Sequence, residues 1–233
     1  ISCGGHQSLE PTRRAKLAGG ISSVSFDSTG RRFYAGTDEC NMYEVEFESL
    51  DAALKLTAHT APITDVAFPY GCSEIFATCG GSDIRVWHAK TLSELLRVRL
   101  PNVECNCMGI PRDGRSILSG WSDGRVRAFA PQSGNLLYVI NDAHKIVGVG
   151  NASGGETPKN GVTAVTCTND CKRLLSGGAD GQVRVWAISK GTQVMIASMK
   201  EHKGPVYAIA MKADDSECVS ASADGSCITW SLT

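Results

Sequence analysis

An all-β chain of repeated four-stranded antiparallel units is predicted by three observations. Aromatic or apolar anchors recur at a near-constant step, apolar residues stand at fixed distances before each anchor, and Asp-Gly pairs punctuate the strands between them. The anchors are Val45, Trp87, Phe129, Trp186 and Trp230, separated by 42, 42, 57 and 44 residues. Internal repetition at about 40–45 residues is the mark of an architecture in which each unit is one small sheet that buries its faces against its neighbours.

Each strand follows from the spacing. Twenty-four residues before the anchors stand Ile21, Ile63, Cys105, Val162 and Val206; 21 before stand Val24, Val66, Met108, Val165 and Ile209; 19 before stand Phe26, Phe68, Ile110, Cys167 and Met211. The last two sets are two residues apart, the period of one strand face. In the last three units Asp113, Asp170 and Asp214 lie 16 before the anchor, Ser119, Ser176 and Ser220 lie 10 before, and Asp123, Asp180 and Asp224 lie 6 before, each of the last followed by Gly. Asp-Gly supplies the positive-φ backbone of a tight hairpin turn. A fourth strand is read at Leu95 to Leu100, Leu136 to Ile140 and Val194 to Met199. The units are therefore expected at 19–58, 59–100, 101–143, 144–201 and 202–233, the last incomplete, all in one domain. Residues 1–18 are read as the outer strand of a preceding unit, placed at Arg13 to Leu17. The step of 57 implies an insertion of 14 residues over 147–160, a Gly-rich loop that lacks the Gly-Lys-Ser/Thr ending of a phosphate loop.

Composition narrows the function classes. The 233 residues carry 23 Lys+Arg and 24 Asp+Glu, a formal net charge of -1, against the basic excess of a dedicated nucleic-acid binder. No apolar run approaches the ~20 residues of a membrane span. Ten cysteines occur without paired CxxC or HxxxH spacing, which argues against a zinc site and reads as reduced thiols of a cytosolic protein. The chain starts at Ile1 rather than Met, which reads as a piece of something longer. No cofactor, metal or small-molecule substrate is expected.

The pattern resembles the WD-repeat β-propeller family, whose unit runs from a His through three strands to a Trp. The Trp ends Ile84-Arg-Val-Trp87, Val183-Arg-Val-Trp186 and Ile228-Thr-Trp230, and a His lies 28 residues before Trp in His59 and His202; His144 lies 42 before Trp186, which is 28 plus the insertion. The resemblance implies a radial arrangement of blades, five of them visible here as part of a larger propeller. It also implies hydrogen-bonded tetrads inside the blades: His59, Thr78 and Trp87 as an imperfect copy, then His144, Ser176, Asp180 and Trp186, then His202, Ser220, Asp224 and Trp230. Because such a set repeats, it reads as structural rather than as a hydrolase triad, and no catalytic residue is expected.

Arg97, Arg99, Arg112, Arg115, Arg125 and Arg127 crowd around the third unit, where Phe129 replaces Trp and the His is missing. They are candidates for contact with an acidic protein surface. Finally, Asp65-Val-Ala-Phe-Pro-Tyr-Gly71, Asp83-Ile-Arg-Val-Trp-His88, Gly124-Arg-Val-Arg-Ala-Phe-Ala-Pro131 and Leu137-Tyr-Val-Ile-Asn141 are similar to a WD-repeat family of motile cilia. That resemblance implies a cytoskeletal protein of the axoneme, a microtubule inner protein that binds tubulin and neighbouring doublet inner proteins. The competing expectation is a generic cytosolic WD-repeat adaptor for complex assembly.

Overall fold

The computed structural model describes residues 13–56, 59–145, 160–189 and 192–232, so all but one residue of the expected 147–160 insertion lies outside the described residues. The described chain is built of nineteen strands without a helix. The first sheet holds β1 (Ile21–Phe26), β2 (Arg32–Thr37), β3 (Met42–Glu46) and β4 (Ala52–Leu56), and the second holds β5 (Ile63–Ala67), β6 (Ile75–Gly80), β7 (Asp83–His88) and β8 (Glu94–Arg99). The third holds β9 (Cys105–Gly109), β10 (Ile117–Trp121), β11 (Val126–Phe129) and β12 (Leu136–Ile140); the fourth holds β13 (Val162–Cys167), β14 (Arg173–Gly178), β15 (Val183–Ser189) and β16 (Thr192–Met199). The fifth shows three strands, β17 (Val206–Met211), β18 (Glu217–Ser222) and β19 (Cys227–Ser231). Every pairing is antiparallel between neighbours in sequence.

The sheets pack as the blades of a β-propeller. The inner strands meet in series, β1 on β5, β5 on β9, β9 on β13 and β13 on β17. Between blades the core is apolar: Tyr34 and Met42 of the first pack with Phe76 and Trp87 of the second, and Ala77, Ile84 and Val86 of the second pack with Ile117, Trp121 and Phe129 of the third. The alternation of side chains along each strand lets both faces of a blade be buried at once, one against each neighbour.

A bulge is repeated in every inner strand. The register skips Ser22, Thr64, Asn106, Thr163 and Tyr207, each the residue after the first apolar position of its unit. An extra residue in one strand re-aims its side chain, and here it aims at the next blade. Ser22 Oγ donates to the Ile63 carbonyl and Thr163 Oγ1 to the Val206 carbonyl. Thr64 Oγ1 donates to Cys105 O at 2.8 Å and Asn106 Nδ2 to Val162 O at 2.9 Å. These four bonds lace consecutive inner strands together where no sheet hydrogen bonds run.

Arg13 to Leu17 are not paired in a strand here; the blade to which the sequence assigns them as an outer strand is a preceding one. Arg13 donates to the Glu48 carbonyl and its guanidinium lies 5.9 Å from the Phe47 ring centroid, on the turn of the first blade.

Candidate protein-interaction site

The sequence-derived polar residues lie in the blades as hydrogen-bonded chains. In the fourth blade the Trp186 indole donates to Ser176 Oγ at 3.0 Å, Ser176 Oγ lies 2.8 Å from His144 Nε2, and His144 Nδ1 lies 2.8 Å from Asp180 Oδ1. With Nδ1–H donating to the carboxylate, the serine hydroxyl donates to Nε2 and accepts from the indole, so the hydroxyl and the imidazole each donate once and accept once. In the fifth blade Trp230 donates to Ser220 Oγ at 2.7 Å, Ser220 lies 2.7 Å from His202 Nε2, and His202 Nδ1 is 3.3 Å from Asp224 and 3.0 Å from Ser226 Oγ. The second blade stops short: Trp87 donates to Thr78 Oγ1 at 2.8 Å and Thr78 is 2.7 Å from His59 Nε2, but His59 Nδ1 meets no hydrogen-bonding group. The hydroxyls of Thr78, Ser176 and Ser220 are buried at 1%, 0% and 0% exposure, out of reach of any substrate carbonyl.

The lone ring nitrogen has a consequence for stability. Burial, then the charge of Arg85, push the His59 imidazole down from 6.5 to about 4. The unfolded chain takes up a proton below about pH 6.5 that the folded chain refuses until about pH 4, so stability falls with pH through that window. The expected loss between pH 7 and pH 5 is about 2 kcal/mol from this group, read by urea unfolding at both pH values. The His59→Gln variant should lose that part of the pH dependence; an unchanged pH dependence would contradict the neutral buried ring.

The third blade solves the same problem with different residues. Ser119, on β10, lies opposite Arg127, as Thr78 lies opposite Arg85 and Ser176 opposite Arg184. Trp121, two residues beyond Ser119, donates its indole N–H to Ser119 Oγ at 2.8 Å, and Ser119 donates to the Arg127 carbonyl at 3.0 Å. The Trp121 and Phe129 rings meet edge-on at 6.5 Å and 69°, close to His59 with Trp87 (6.4 Å, 65°) and His202 with Trp230 (6.1 Å, 73°). Trp121 thus stands for the missing His and Phe129 for the Trp. The matching positions in the second and fourth blades are Gly80 and Gly178; an added Cβ would run into the Pro62 carbonyl and come within 3.3 Å of His59 Nδ1 at the first, and would run into the His144 ring at the second. Sequence reasoning passed over Trp121; the available signal was Pro101 at the His position together with Trp where two sister units have Gly.

The six arginines do not form one cluster. Arg112 and Arg115 lie in the β9–β10 connection and Arg125 in the β10–β11 turn, at opposite ends of β10, while Arg97 and Arg99 belong to β8 of the second blade. Arg127 is buried, not a contact residue: Nη1 and Nη2 reach Asp123 at 3.0 and 2.6 Å and the guanidinium lies 5.4 Å from the Trp121 ring. It is the sister of Arg85 and of Arg184, which lies 3.3 Å from Asp180. Arg97 and Arg99 join Arg85 on the buried Asp83 carboxylate, with Arg99 at 3.7 Å and Arg85 at 3.2 Å, and Arg125 sits 3.8 Å from Asp123. Arg112 lies over Tyr70 at 4.0 Å from the ring centroid, and neither it nor Arg115 is within an ion pair of a described carboxylate.

Among the described residues no group of three or more His, Cys, Asp or Glu is arranged to hold a metal ion. No disulfide joins the described cysteines. No described helix is long and apolar enough to cross a membrane.

Radially packed antiparallel blades, the second to fifth each holding a buried hydroxyl bonded to an indole, define a WD-repeat β-propeller, and the chain belongs to that family. The family's description, "WD domain, G-beta repeat", matches residues 52–88, 154–187 and 193–231. The chain is similar to cilia- and flagella-associated protein 52 of Bos taurus, 46% identical over 225 residues, which covers 97% of this chain and 34% of the relative. The protein of that name from Chlamydomonas reinhardtii is 46% identical over 238 residues, covering 98% of this chain and 36% of the relative. WD repeat-containing protein 90 of Xenopus tropicalis is 25% identical over 197 residues, 81% of this chain and 10% of the relative. The chain thus spans about a third of the length of the first two.

Proposed function

We propose that this chain is part of a non-catalytic structural scaffold of cilia and flagella, a microtubule inner protein that binds tubulin and neighbouring inner proteins and stabilises the axoneme. The observation that carries the reading is 46% identity along nearly the whole chain to cilia- and flagella-associated protein 52 of organisms as different as Bos taurus and Chlamydomonas reinhardtii. The site chemistry agrees with it. The hydroxyls that resemble nucleophiles are buried and spent on indole and imidazole partners. A rigid disk bearing loops at both ends suits many modest contacts that add along a filament.

The test is extraction of isolated cilia with detergent and then with high salt, probing each fraction for the full-length protein. Retention in the doublet pellet after salt is expected, since buried lattice contacts resist screening better than exposed charge pairs. Release into the detergent or salt supernatant, or absence from cilia, overturns the reading in favour of a cytosolic adaptor.

A further inference from the structure

We propose that a groove between the third and fourth blades, at the end of the propeller opposite the Asp-Gly turns, binds an extended acidic peptide bearing one apolar side chain. The inference rests on the reading of the chain as a binding scaffold and specifies one of its surfaces.

Two cavities make the groove. The inner one, about 260 Å³, opens where the β5–β6, β9–β10 and β13–β14 connections meet, between Phe68, Ile110, Leu118 and Cys167. The outer one, about 190 Å³, shares Pro111, Leu118 and Cys167 with the first and runs outward to Tyr138 and Ile188. Each is below the ~300 Å³ of common small-molecule sites, but an aliphatic side chain fits.

Charge decides what the rest of the ligand must be. Arg112, Arg115 and Arg173 line the groove, and Asp113 is the one carboxylate among the lining residues. Asp113 is engaged with the Arg115 backbone N–H at 3.1 Å. Arg173 donates to the carbonyls of Leu232 at 2.8 Å and Asp215 at 3.4 Å rather than to a carboxylate. The nearby acids are also occupied: Asp170 accepts from Thr168 Oγ1 at 2.6 Å and from the Lys172 N–H at 2.9 Å, and Asp215 accepts from the Asn169 amide at 2.8 Å. At the other end of the second and third blades, by contrast, Asp83 pairs with Arg85, Arg97 and Arg99, and Asp123 with Arg125 and Arg127. Asp170 still acts on Arg173 by its charge, so the guanidinium groups left without an ion pair to a described carboxylate are those of Arg112 and Arg115. Arg112 is already positioned, its Nη2 donating to the Tyr70 hydroxyl at 2.7 Å with the ring beneath. A guanidinium held this way meets a carboxylate at small entropic cost.

The experiment is fluorescence anisotropy with full-length protein and a labelled heptapeptide, Gly-Glu-Glu-Leu-Glu-Glu-Gly. Binding is expected at about 50 mM salt and should weaken toward 300 mM. The Arg112→Glu/Arg115→Glu variant, altered only at exposed loop residues, should lose about tenfold in affinity, and the Arg115→Gln variant should lose less. The variant should recover binding when Lys replaces Glu in the peptide. Replacing the central Leu of the peptide by Gly should weaken binding to the unaltered protein. No binding at low salt, equal binding by both charge states of the protein, or equally tight binding of an oligothymidylate of the same charge overturns the groove. Retention of the protein in the axonemal pellet decides the ciliary reading independently, so either can fail without the other.

Discussion

Replacing Trp121 by Ala is expected to destabilise the protein by about 4 kcal/mol, the range for deleting a fully buried indole. Trp121 is 0% exposed. Three contacts go with it: the N–H donated to Ser119, the edge-on contact with Phe129, and the ring beneath the Arg127 guanidinium. The vacated space cannot close easily, because Ile84 and Val86 of the second blade pack against the same ring and are fixed by their own sheet. Urea unfolding of the variant checks this. A loss under about 1 kcal/mol would mean that the indole does not hold the seam between the second and third blades.

Asp83→Asn should cost about 3 kcal/mol, because it removes the one negative charge on which three arginines converge. Burial pushes the Asp83 carboxyl up, but hydrogen bonds and charge from Arg97 and Arg85 outweigh it and hold the group below the usual carboxylate range. Without that charge, Arg85, itself 7% exposed, keeps only Glu94 at 2.9 Å. The loss sits at the low end of what breaking a buried pair costs because Glu94 remains. Asp83 stands where the second blade lacks the turn Asp of its sisters, and it faces arginines instead of His59. A thermal melt of the variant with unchanged midpoint would sink this account.

The strands were legible because their cause is local. Apolar residues at fixed distances before each anchor set which face of each strand is buried, and Asp-Gly at 123–124, 180–181 and 224–225 set the turns. The spacing repeated His, hydroxyl and Trp within single units, but their joining by hydrogen bonds was implied only by the resemblance to WD-repeat propellers. The bulged residues Ser22, Thr64, Asn106 and Thr163 were not: one residue out of step with a period of two looks like noise until the neighbouring strand is seen. Arg127 looked like a surface charge because an arginine's burial depends on the carboxylate that folds over it, here Asp123.

By itself the sequence determined a chain of repeated antiparallel sheets, because strand faces and turns are written in the chemistry of neighbouring residues. Only the tertiary structure decided how one blade speaks to the next: the laced inner strands, Trp121 in the place of a His, and a groove whose walls come from connections separated in the chain by a full repeat or more. Those features depend on distances between blades, and no spacing along the chain encodes a distance until the blades have packed.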